Sequence, residues 1–339
     1  MSEQQPRRGR LAAASYIDGI LRGDRVILAR AITLIESELP ADERLAQTVL
    51  DGVVPHAGRS HRLGITGVPG AGKSTFIDAL GMYLTETLGE RVAVLSVDPS
   101  SQISGGSILG DKTRMERLSN QVNAFIRPSP ARGHLGGVAR RTRETILLCE
   151  AAGYNNILVE TVGVGQSETA VRSMTDFFLL LMISGAGDEL QGIKRGIIEM
   201  LDGMVINKAD GDNKARAERA RIEYSSALHL FPASSDGWIP KVLTCSSLHG
   251  TGIVEVWDLV RAHRAHQASG GHFEQRRNHQ NEEWMNELIQ RSLTRLFHTD
   301  PEILALLPVL RERVSRGQTT PFSASTQLLA AFTAKGKTN

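Results

Sequence analysis

Two glycines, a lysine and a serine stand at the spacing of a phosphate-binding loop in the segment Gly67-Val68-Pro69-Gly70-Ala71-Gly72-Lys73-Ser74. An apolar run over residues 63–66 precedes it, and a helix-like run over residues 75–80 follows it. Glycines let backbone N–H groups turn toward a phosphate, and the N-terminus of the following helix adds positive charge. We therefore predict that Lys73 reaches the β- and γ-phosphates of a nucleotide and that Ser74 binds Mg²⁺.

A second polar segment, Asn207-Lys208-Ala209-Asp210, follows the apolar run 203–206. Ligands of doubly wound sheets gather at the carboxyl ends of the strands. A carboxylate there can accept two hydrogen bonds from guanine, whereas adenine offers no such pair of donors. We therefore predict that Asp210 selects GTP, while Asn207 braces the loop and Lys208 covers the ring. The chain after a later strand-like run is suited to backbone contacts with the guanine oxygen, through Ser246, Ser247 and Leu248.

Three acidic residues are candidates for the surroundings of Mg²⁺. Asp98 follows the apolar run 92–97, and Glu160 follows the apolar run 156–159. Since Mg²⁺ keeps several waters, these carboxylates can hold the waters without binding the metal directly. Asp111 stands in a glycine-rich loop that could reach the same site, and it is also placed to cap a following helix. The two roles of Asp111 are compatible.

The segment that begins at Glu160 is predicted to sense the γ-phosphate. Gly163 is placed to donate its backbone N–H to that phosphate, so the loop would respond to its presence. Val164 follows and cannot orient an attacking water as a glutamine does in Ras-like enzymes, and Gln166 stands at another spacing. We therefore predict slow intrinsic hydrolysis.

Composition excludes several classes of protein. The 339 residues include 39 basic and 37 acidic side chains, so the net charge of +2 gives no general attraction to nucleic acid or to anionic membranes. Cys149 and Cys245 are far apart in apolar surroundings, which predicts buried thiols in a reducing cytoplasm. The longest apolar run, residues 177–183, is too short to span a bilayer and is predicted to be a central strand.

The pattern of apolar residues divides the chain into three parts. Residues 1–58 predict amino-terminal helices, residues 59–266 alternate strands with helices, and residues 267–339 predict a helical arm. The alternation predicts an α/β fold with a mostly parallel, doubly wound sheet. The predicted strands are residues 63–66, 92–97, 156–159, 177–183, 204–206 and 242–244.

The carboxy-terminal arm is predicted to start with a linker over residues 269–272, followed by helices over residues 282–297, 301–314 and 323–332. It has no evident core of its own. One helix carries an apolar stripe that must be buried against the rest of the chain or against a second copy. The stripe consists of Trp284, Leu288, Ile289, Leu293, Leu296 and Phe297.

Several longer runs resemble the MeaB/MMAA family of phosphate-loop GTPases. They are Ser96-Val97-Asp98-Pro99-Ser100-Ser101, residues 105–115, Arg127-Pro128-Ser129-Pro130, residues 136–144, residues 160–171 and Gly185-Ala186-Gly187-Asp188-Glu189-Leu190-Gln191-Gly192-Ile193-Lys194. The resemblance covers about residues 10–335. It implies a homodimeric GTPase that acts as a chaperone for an adenosylcobalamin-dependent acyl-CoA mutase. The cobalamin would be bound by the mutase, and the GTPase would gate its loading, protection or reactivation.

The resemblance also implies roles for individual residues. Phosphate contacts are expected within residues 67–75, at Gly67, Gly70, Ala71, Gly72, Lys73, Ser74 and Thr75. The Mg²⁺ environment is expected at Ser74, Asp98, Asp111 and Glu160. Residues 98–115 and 160–168 correspond to two switches, and residues 185–194 to a third. That third switch is thought to relay the presence of the mutase, with Lys194 as its key cation and Asp188 as a second candidate. The expected catalytic set is Lys73, Glu160, Gly163, Asp188 and Lys194. The chain departs from the family at Gln102-Ile103 and Ile183-Ser184.

Three other functions compete with this interpretation. A nickel-insertion GTPase of the same branch would carry clustered metal ligands, but His263, His266 and His272 are better explained as solvated helix residues. A small-metabolite kinase of the arginine-transport type would use ATP, which Asp210 argues against. A nucleic-acid-binding GTPase would need a basic chain with aromatic residues interleaved among its basic residues. The basic residues within 261–277 lack that interleaving, with Phe273 alone among them, and the chain is nearly neutral.

Overall fold

The structure is a computed structural model that describes residues 9–37, 39–97, 115–128, 135–161, 167–185, 195–230, 234 and 236–334. Contacts divide the chain into two compact units, residues 1–274 and residues 275–339. No helix among these described residues is both long and apolar enough to cross a membrane.

A parallel sheet of seven strands organises the described part of the first unit, in the order β3-β2-β4-β1-β5-β6-β7. At the centre, Gly64 of β1 is paired with Val159 of β4 on one side and with Phe178 of β5 on the other. These inner strands are buried, as the apolar run at residues 177–183 predicted. The predicted doubly wound α/β fold is confirmed. The strands are β1 (His61–Gly67), β2 (Val92–Val97), β3 (Ala124–Arg127), β4 (Asn156–Thr161), β5 (Phe177–Ile183), β6 (Gly203–Asn207) and β7 (Lys241–Thr244).

Helices cover both faces of this sheet. Those nearest the amino terminus pack on one another, and the second and third also pack against the long helix that precedes β4. Their buried apolar side chains join the same core as the strands. The described helices are α1 (Ala13–Leu21), α2 (Arg25–Ile35), α3 (Pro40–Val53), α4 (Lys73–Met82), α5 (Glu116–Ser119), α6 (Leu135–Ala151), α7 (Ser167–Arg172), α8 (Arg195–Ile198), α9 (Lys214–Leu228) and α10 (Ile253–Ser269).

The edge strand β3 was missed by the sequence prediction. It has four residues, and its hydrogen bonds run only to β2. So short a segment shows too little periodicity to be told from a turn. Its position matters because it extends the sheet beside α2.

A buried polar cluster joins the end of α7 to the strands β5 and β6. The Asp202 carboxylate accepts two hydrogen bonds from Arg172, at 2.8 and 3.2 Å, and a third from the backbone N–H of Phe178. Burial raises the pKa of Asp202 to about 6, although the Arg172 ion pair opposes that shift. The indole N–H of Trp238 donates to the Asp202 carbonyl. These bonds fix α7, which begins at Ser167, against the sheet.

His263 on α10 belongs to this cluster, and the expectation that it is solvated is wrong. Its ring is 2% exposed and packs edge-on against Phe177 and Trp238. Burial lowers the pKa of His263 to about 4, so the ring is neutral at pH 7. Its 3.7 Å approach to Asp202 is therefore a contact between a neutral ring and a carboxylate. This burial could not be predicted from helical periodicity because Trp238 lies outside the helix that carries His263.

The second unit consists of helices. They are α11 (His272–Thr299), which starts in the first unit, α12 (Pro301–Ser315) and α13 (Pro321–Ala334). Only two residues separate α10 from α11, so the predicted linker is a tight turn and the helix starts ten residues earlier than expected. The Asp300 side chain caps α12 by accepting from the backbone N–H groups of Glu302 and Ile303.

The expectation that this arm lacks a core needs correction. Ile303 and Leu310 of α12 are buried with Ala324 and Leu328 of α13. Phe297 packs on this small core, and its ring lies 5.4 Å from that of Phe332. Phe297 is thus partly used within its own unit, whereas the stripe around it was predicted to pack elsewhere.

Candidate functional site

The glycine-rich loop lies between β1 and α4, as its sequence predicted. Gly70 and Gly72 have φ angles of 76° and 85°, which side-chain-bearing residues rarely adopt. A Cβ at Gly67 would lie 2.4 Å from the carbonyl oxygen of Leu181, and one at Gly72 would lie 2.9 Å from the side-chain nitrogen of Asn207. Both backbone shape and close packing therefore require glycine here.

Lys73, the first residue of α4, folds its side chain back over this loop. Its ammonium donates to the carbonyl oxygens of Gly67 at 2.8 Å and Val68 at 3.5 Å. Burial lowers the pKa of Lys73, while the carboxylates of Glu160 and Glu168 oppose that shift. The amine is thus held where a phosphate placed in the loop would meet it.

Ser74 and Glu160 come together beside the loop. The Ser74 hydroxyl donates to Glu160 Oε1 at 3.3 Å, and Glu160 is buried at the carboxyl end of β4. The next residue, Thr161, donates from its hydroxyl to that of Thr66 at 2.9 Å, which ties β4 to β1. A hydroxyl and a buried carboxylate are hard oxygen donors that fit Mg²⁺.

Glu168 is a residue near the loop that sequence reasoning treated only as the end of a switch. It stands in the first turn of α7 and is 1% exposed. Its charge acts on Lys73 together with that of Glu160. The available signal was an acidic residue at the start of a short helix directly after residues 162–166.

Asp78 of α4 is a second residue the sequence reading missed. Its carboxylate accepts from the Arg117 guanidinium at 2.8 Å and from the backbone N–H of Leu118 at 2.9 Å. The helix α5 is therefore attached to α4, the helix that begins with the phosphate-loop lysine.

Asn207 joins the base loop to the phosphate loop. Its amide nitrogen donates to the Ala71 carbonyl at 2.8 Å. Its amide oxygen accepts from the backbone N–H of Ser247 at 3.1 Å, from the Ser247 hydroxyl at 2.8 Å and from the Cys245 thiol at 3.3 Å. The buried Asn207 side chain thus joins its own segment to the phosphate loop and to residues 245–247.

The predicted guanine-reading residues lie together around this junction. The Ser246 hydroxyl donates to the Asp210 carboxylate, and the backbone N–H of Ala209 donates to the Cys245 carbonyl. Lys208 has a φ of 59°, a conformation that turns the chain sharply between Asn207 and Asp210. Leu248, in contrast, is largely exposed. Hydrogen bonds within the protein therefore define the shape of the base loop.

Five predicted site residues lie outside the described residues: Asp98, Asp111, Gly163, Asp188 and Lys194. Thr75 follows Ser74 in the first turn of α4. Of the three histidines considered as metal ligands, His263 is buried and His266 contacts the Asp236 carbonyl at 2.9 Å. No group of three or more His, Cys, Asp or Glu side chains within the described ranges is arranged to hold a metal ion.

A parallel sheet, a glycine loop that opens a helix, and a base loop braced on that glycine loop define a phosphate-loop GTPase. The family model described as Methylmalonyl Co-A mutase-associated GTPase MeaB matches residues 28–302. The chain belongs to this family, as its longer motifs predicted. It is a GTPase, and membership implies binding of GTP or GDP with Mg²⁺.

Known proteins similar to the chain extend over nearly its whole length. A putative GTPase of Caulobacter vibrioides is 53% identical and covers 92% of this chain and 95% of its own. The Mus musculus protein called methylmalonic aciduria type A homolog, mitochondrial, is 48% identical over 93% of this chain and 78% of its own. The solved structure of a LAO/AO transport system kinase has a TM-score of 0.74 at 39% identity, covering 93% of this chain and 96% of that one.

Proposed function

We propose that this GTPase is a chaperone that gates loading, protection or reactivation of adenosylcobalamin at a partner acyl-CoA mutase. One observation carries the proposal: the family to which the chain belongs is described by its association with methylmalonyl-CoA mutase. The name of the mouse relative, which refers to methylmalonic aciduria, is consistent with it. The cobalamin is proposed to stay on the mutase.

The phosphate half of the mechanism rests on Lys73, Ser74 and Glu160. On GTP binding, Lys73 would exchange the carbonyl of Gly67 for oxygens of the β- and γ-phosphates. Ser74 and Glu160, with Asp98 and Asp111, would hold Mg²⁺ and its waters. When bound, Mg²⁺ neutralises charge on the phosphates. The support for this assignment is the 3.3 Å contact between Ser74 and Glu160 beside the loop.

The base half rests on Asp210. In the proposed complex its carboxylate accepts from guanine N1–H and the exocyclic amine, in place of the Ser246 hydroxyl that it now binds. Lys208 would cover the ring, and the backbone of residues 246–248 would contact the guanine oxygen. Asn207 acts as a positioning residue because its bonds run to Ala71 and Ser247.

The response to a partner is proposed to pass through the switches. Gly163 would donate to the γ-phosphate, and Asp188 and Lys194 would be repositioned when the mutase docks. A charge supplied on complex formation is worth orders of magnitude in rate for other GTPases. Val164 leaves the free enzyme without a water-orienting side chain, so stimulation by the partner has room to act.

The helical arm is proposed to make the homodimer. Met285, Ile289, Leu293 and Leu296 lie on one face of α11, each about half exposed at 54%, 48%, 55% and 56%. An exposed apolar face of this kind is typical of a protein interface. Trp284 and Leu288 flank it and are half-buried.

A pull-down tests the partner directly. The immobilised chain is offered methylmalonyl-, isobutyryl-, ethylmalonyl- and hydroxyisobutyryl-CoA mutases, each with GDP or with a non-hydrolysable GTP analogue. We expect one mutase to be retained to a degree that depends on the nucleotide. Retention of none of them under either condition would contradict the proposed partner while leaving the GTPase assignment intact.

The likeness to a LAO/AO transport system kinase favours one second candidate, phosphoryl transfer from ATP to a small metabolite. Nucleotide binding separates the two. The chaperone proposal requires GTP to bind much more tightly than ATP, whereas equal binding would favour the kinase.

A further inference from the structure

A cleft of about 590 Å³ opens on the first unit between α2 and the edge strand β3. Its walls come from the segment before α1, from α2, from the end of α5 and from β3. None of its lining residues belongs to the phosphate loop or to the base loop. The lining consists of Arg10, Arg25, Val26, Ala29, Arg30, Thr33, Ser119, Phe125, Ile126 and Arg127.

Four arginines line this cleft, and no acidic residue does. Two are neutralised from outside the lining, because Arg10 pairs with Asp42 and Arg127 pairs with Glu36. These pairs leave the cleft with the charge of the other two arginines.

Arg25 and Arg30, in contrast, bond to backbone carbonyls. Arg25 donates to the carbonyl of Val122 at 3.4 Å, and Arg30 donates to the carbonyl of Gly9. Neither forms an ion pair with a carboxylate of the described residues. The nearest acidic residue in sequence, Asp24, caps α2, where its Oδ1 accepts from the backbone N–H groups of Val26 and Ile27.

The remaining surface of the cleft is mainly apolar. Val26 and Ala29 contribute from α2, and Phe125 and Ile126 contribute from β3. Val26 is 68% exposed, so its side chain is open to an occupant of the cleft. An occupant would therefore bring an apolar body as well as negative charge.

We infer that this cleft binds an organic phosphate, whose phosphoryl group pairs with Arg25 and Arg30 and whose apolar body rests on Val26 and Ile126. Two guanidinium groups that have no carboxylate partner among the described residues match a dianion, and the planar fork of arginine suits phosphate oxygens. The volume lies within the range of about 300–1,000 Å³ typical of small-molecule sites. The site is independent of the proposed mutase partner.

Binding of ADP to the GDP-loaded protein tests the inference. The full chain is saturated with Mg²⁺ and a fluorescent GDP analogue, so that the phosphate loop is filled, and is titrated calorimetrically with ADP, adenosine and pyrophosphate. We expect ADP to bind with a dissociation constant below about 1 mM. Pyrophosphate should bind more weakly because it lacks the apolar body, and adenosine should not bind.

Three variants locate the site. Arg25→Gln with Arg30→Gln should weaken ADP binding at least tenfold and leave GTP hydrolysis and the melting temperature unchanged. Arg22→Gln with Arg219→Gln removes the same charge from exposed positions outside the cleft and should leave ADP binding unchanged. Thr33→Phe narrows the cleft without changing its charge, so it should weaken ADP more than pyrophosphate.

Four results would overturn the inference. The first is no ADP binding at a concentration 5-fold above the expected limit on the dissociation constant, and the second is equal binding of adenosine and ADP. The third is an equal loss of ADP affinity in the double arginine variant of the cleft and in its charge-matched control. The fourth is release of the GDP analogue in step with ADP binding. The last result would assign the ADP to the phosphate loop.

Discussion

The two compact units of this chain differ in how they use their apolar side chains. In the first unit the inner strands are buried on both faces, and one core runs from α1 through the sheet to α10. In the second unit the described core is small, centred on Ile303 and Leu310, while α11 exposes apolar residues along one face. The first unit buries most of its apolar side chains in one core, whereas the second leaves an apolar face of α11 exposed.

This difference separates positioning from assembly. The phosphate loop is attached to a large core and is braced by a hydrogen bond from Asn207. These contacts hold the phosphate site in place. A helical unit with a small core and an exposed apolar face gains stability when another surface covers that face. Changes in the first unit should therefore affect chemistry, and changes on the exposed face of α11 should affect association.

The largest expected effect is at Lys73. Lys73→Ala should reduce GTP hydrolysis by about 10²–10³-fold or more, because the variant lacks the charge that faces the phosphates. The melting temperature should change little, since burial already disfavours the charged amine. Phosphate release measures the first and thermal unfolding the second. Lys241→Ala, at an exposed lysine of β7, is the control, and near-normal turnover in a folded Lys73→Ala protein would remove the loop from the mechanism.

The next effect is on the choice of base. Asp210→Asn should weaken GTP binding by roughly 10–100-fold, corresponding to a lost charged hydrogen bond of about 1.5–3 kcal/mol. Binding of xanthine nucleotides should improve, because the amide reverses donor and acceptor. Calorimetry with GTP, XTP and ATP measures both changes. Equal binding of ATP and GTP by the unmodified protein would show that the base loop does not read guanine.

A charge on the exposed face of α11 should act on assembly alone. Leu293→Asp is expected to raise the dissociation constant of the homodimer about tenfold or more, while Ile222→Asp on α9 serves as an equally exposed control. A charge at Leu288, beside the same face, should act in the same direction. Light scattering at micromolar concentration measures the mass. A monomeric unmodified protein would contradict the comparison between the two units.

The smallest effect concerns the buried polar cluster. As the pH falls from about 6.5 to 4, the unfolded chain protonates His263 before the folded chain does, so stability is lost. Asp202 acts in the opposite sense, since its folded pKa of about 6 makes protonation favour the folded chain as the pH falls toward 3.8. The charged groups around the histidine are Arg172, Asp176, Asp202, Asp236 and His266.

His263→Gln should therefore gain stability relative to the unmodified protein on acidification from pH 7 to 4.5, by on the order of 1 kcal/mol. Urea unfolding at the two pH values gives this difference. His279→Gln on α11 controls for the loss of one imidazole. A variant that instead loses ground at the lower pH would show that His263 is protonated in the folded protein.

Much of the fold follows from local pattern. The predicted inner strands are largely apolar runs buried on both faces, and the phosphate loop has a spacing that few other structures need. The two edge strands, β3 and β7, have four residues each and show little periodicity: β7 was predicted and β3 was missed. The start of α11 was placed too late because its first ten residues are mostly polar, and its stripe begins only at Trp284.

The site was less predictable where it depends on contacts between distant segments. Asp210 and Lys73 stand in recognisable motifs, but the bond from Asn207 to Ala71 joins residues 136 positions apart. The burial of Glu168 beside Lys73 and of His263 beside Trp238 likewise depends on the packed fold. Residue type gave no means to place either one.

The central claim is that a partner mutase accelerates GTP hydrolysis by this chain. The most direct measurement is phosphate release from GTP with and without each candidate mutase, for the unmodified protein and for Lys194→Ala. The account predicts slow release alone, a rise with one mutase, and a smaller rise in the variant with a nearly unchanged basal rate. A rate that no candidate mutase raises in the unmodified protein would contradict the account.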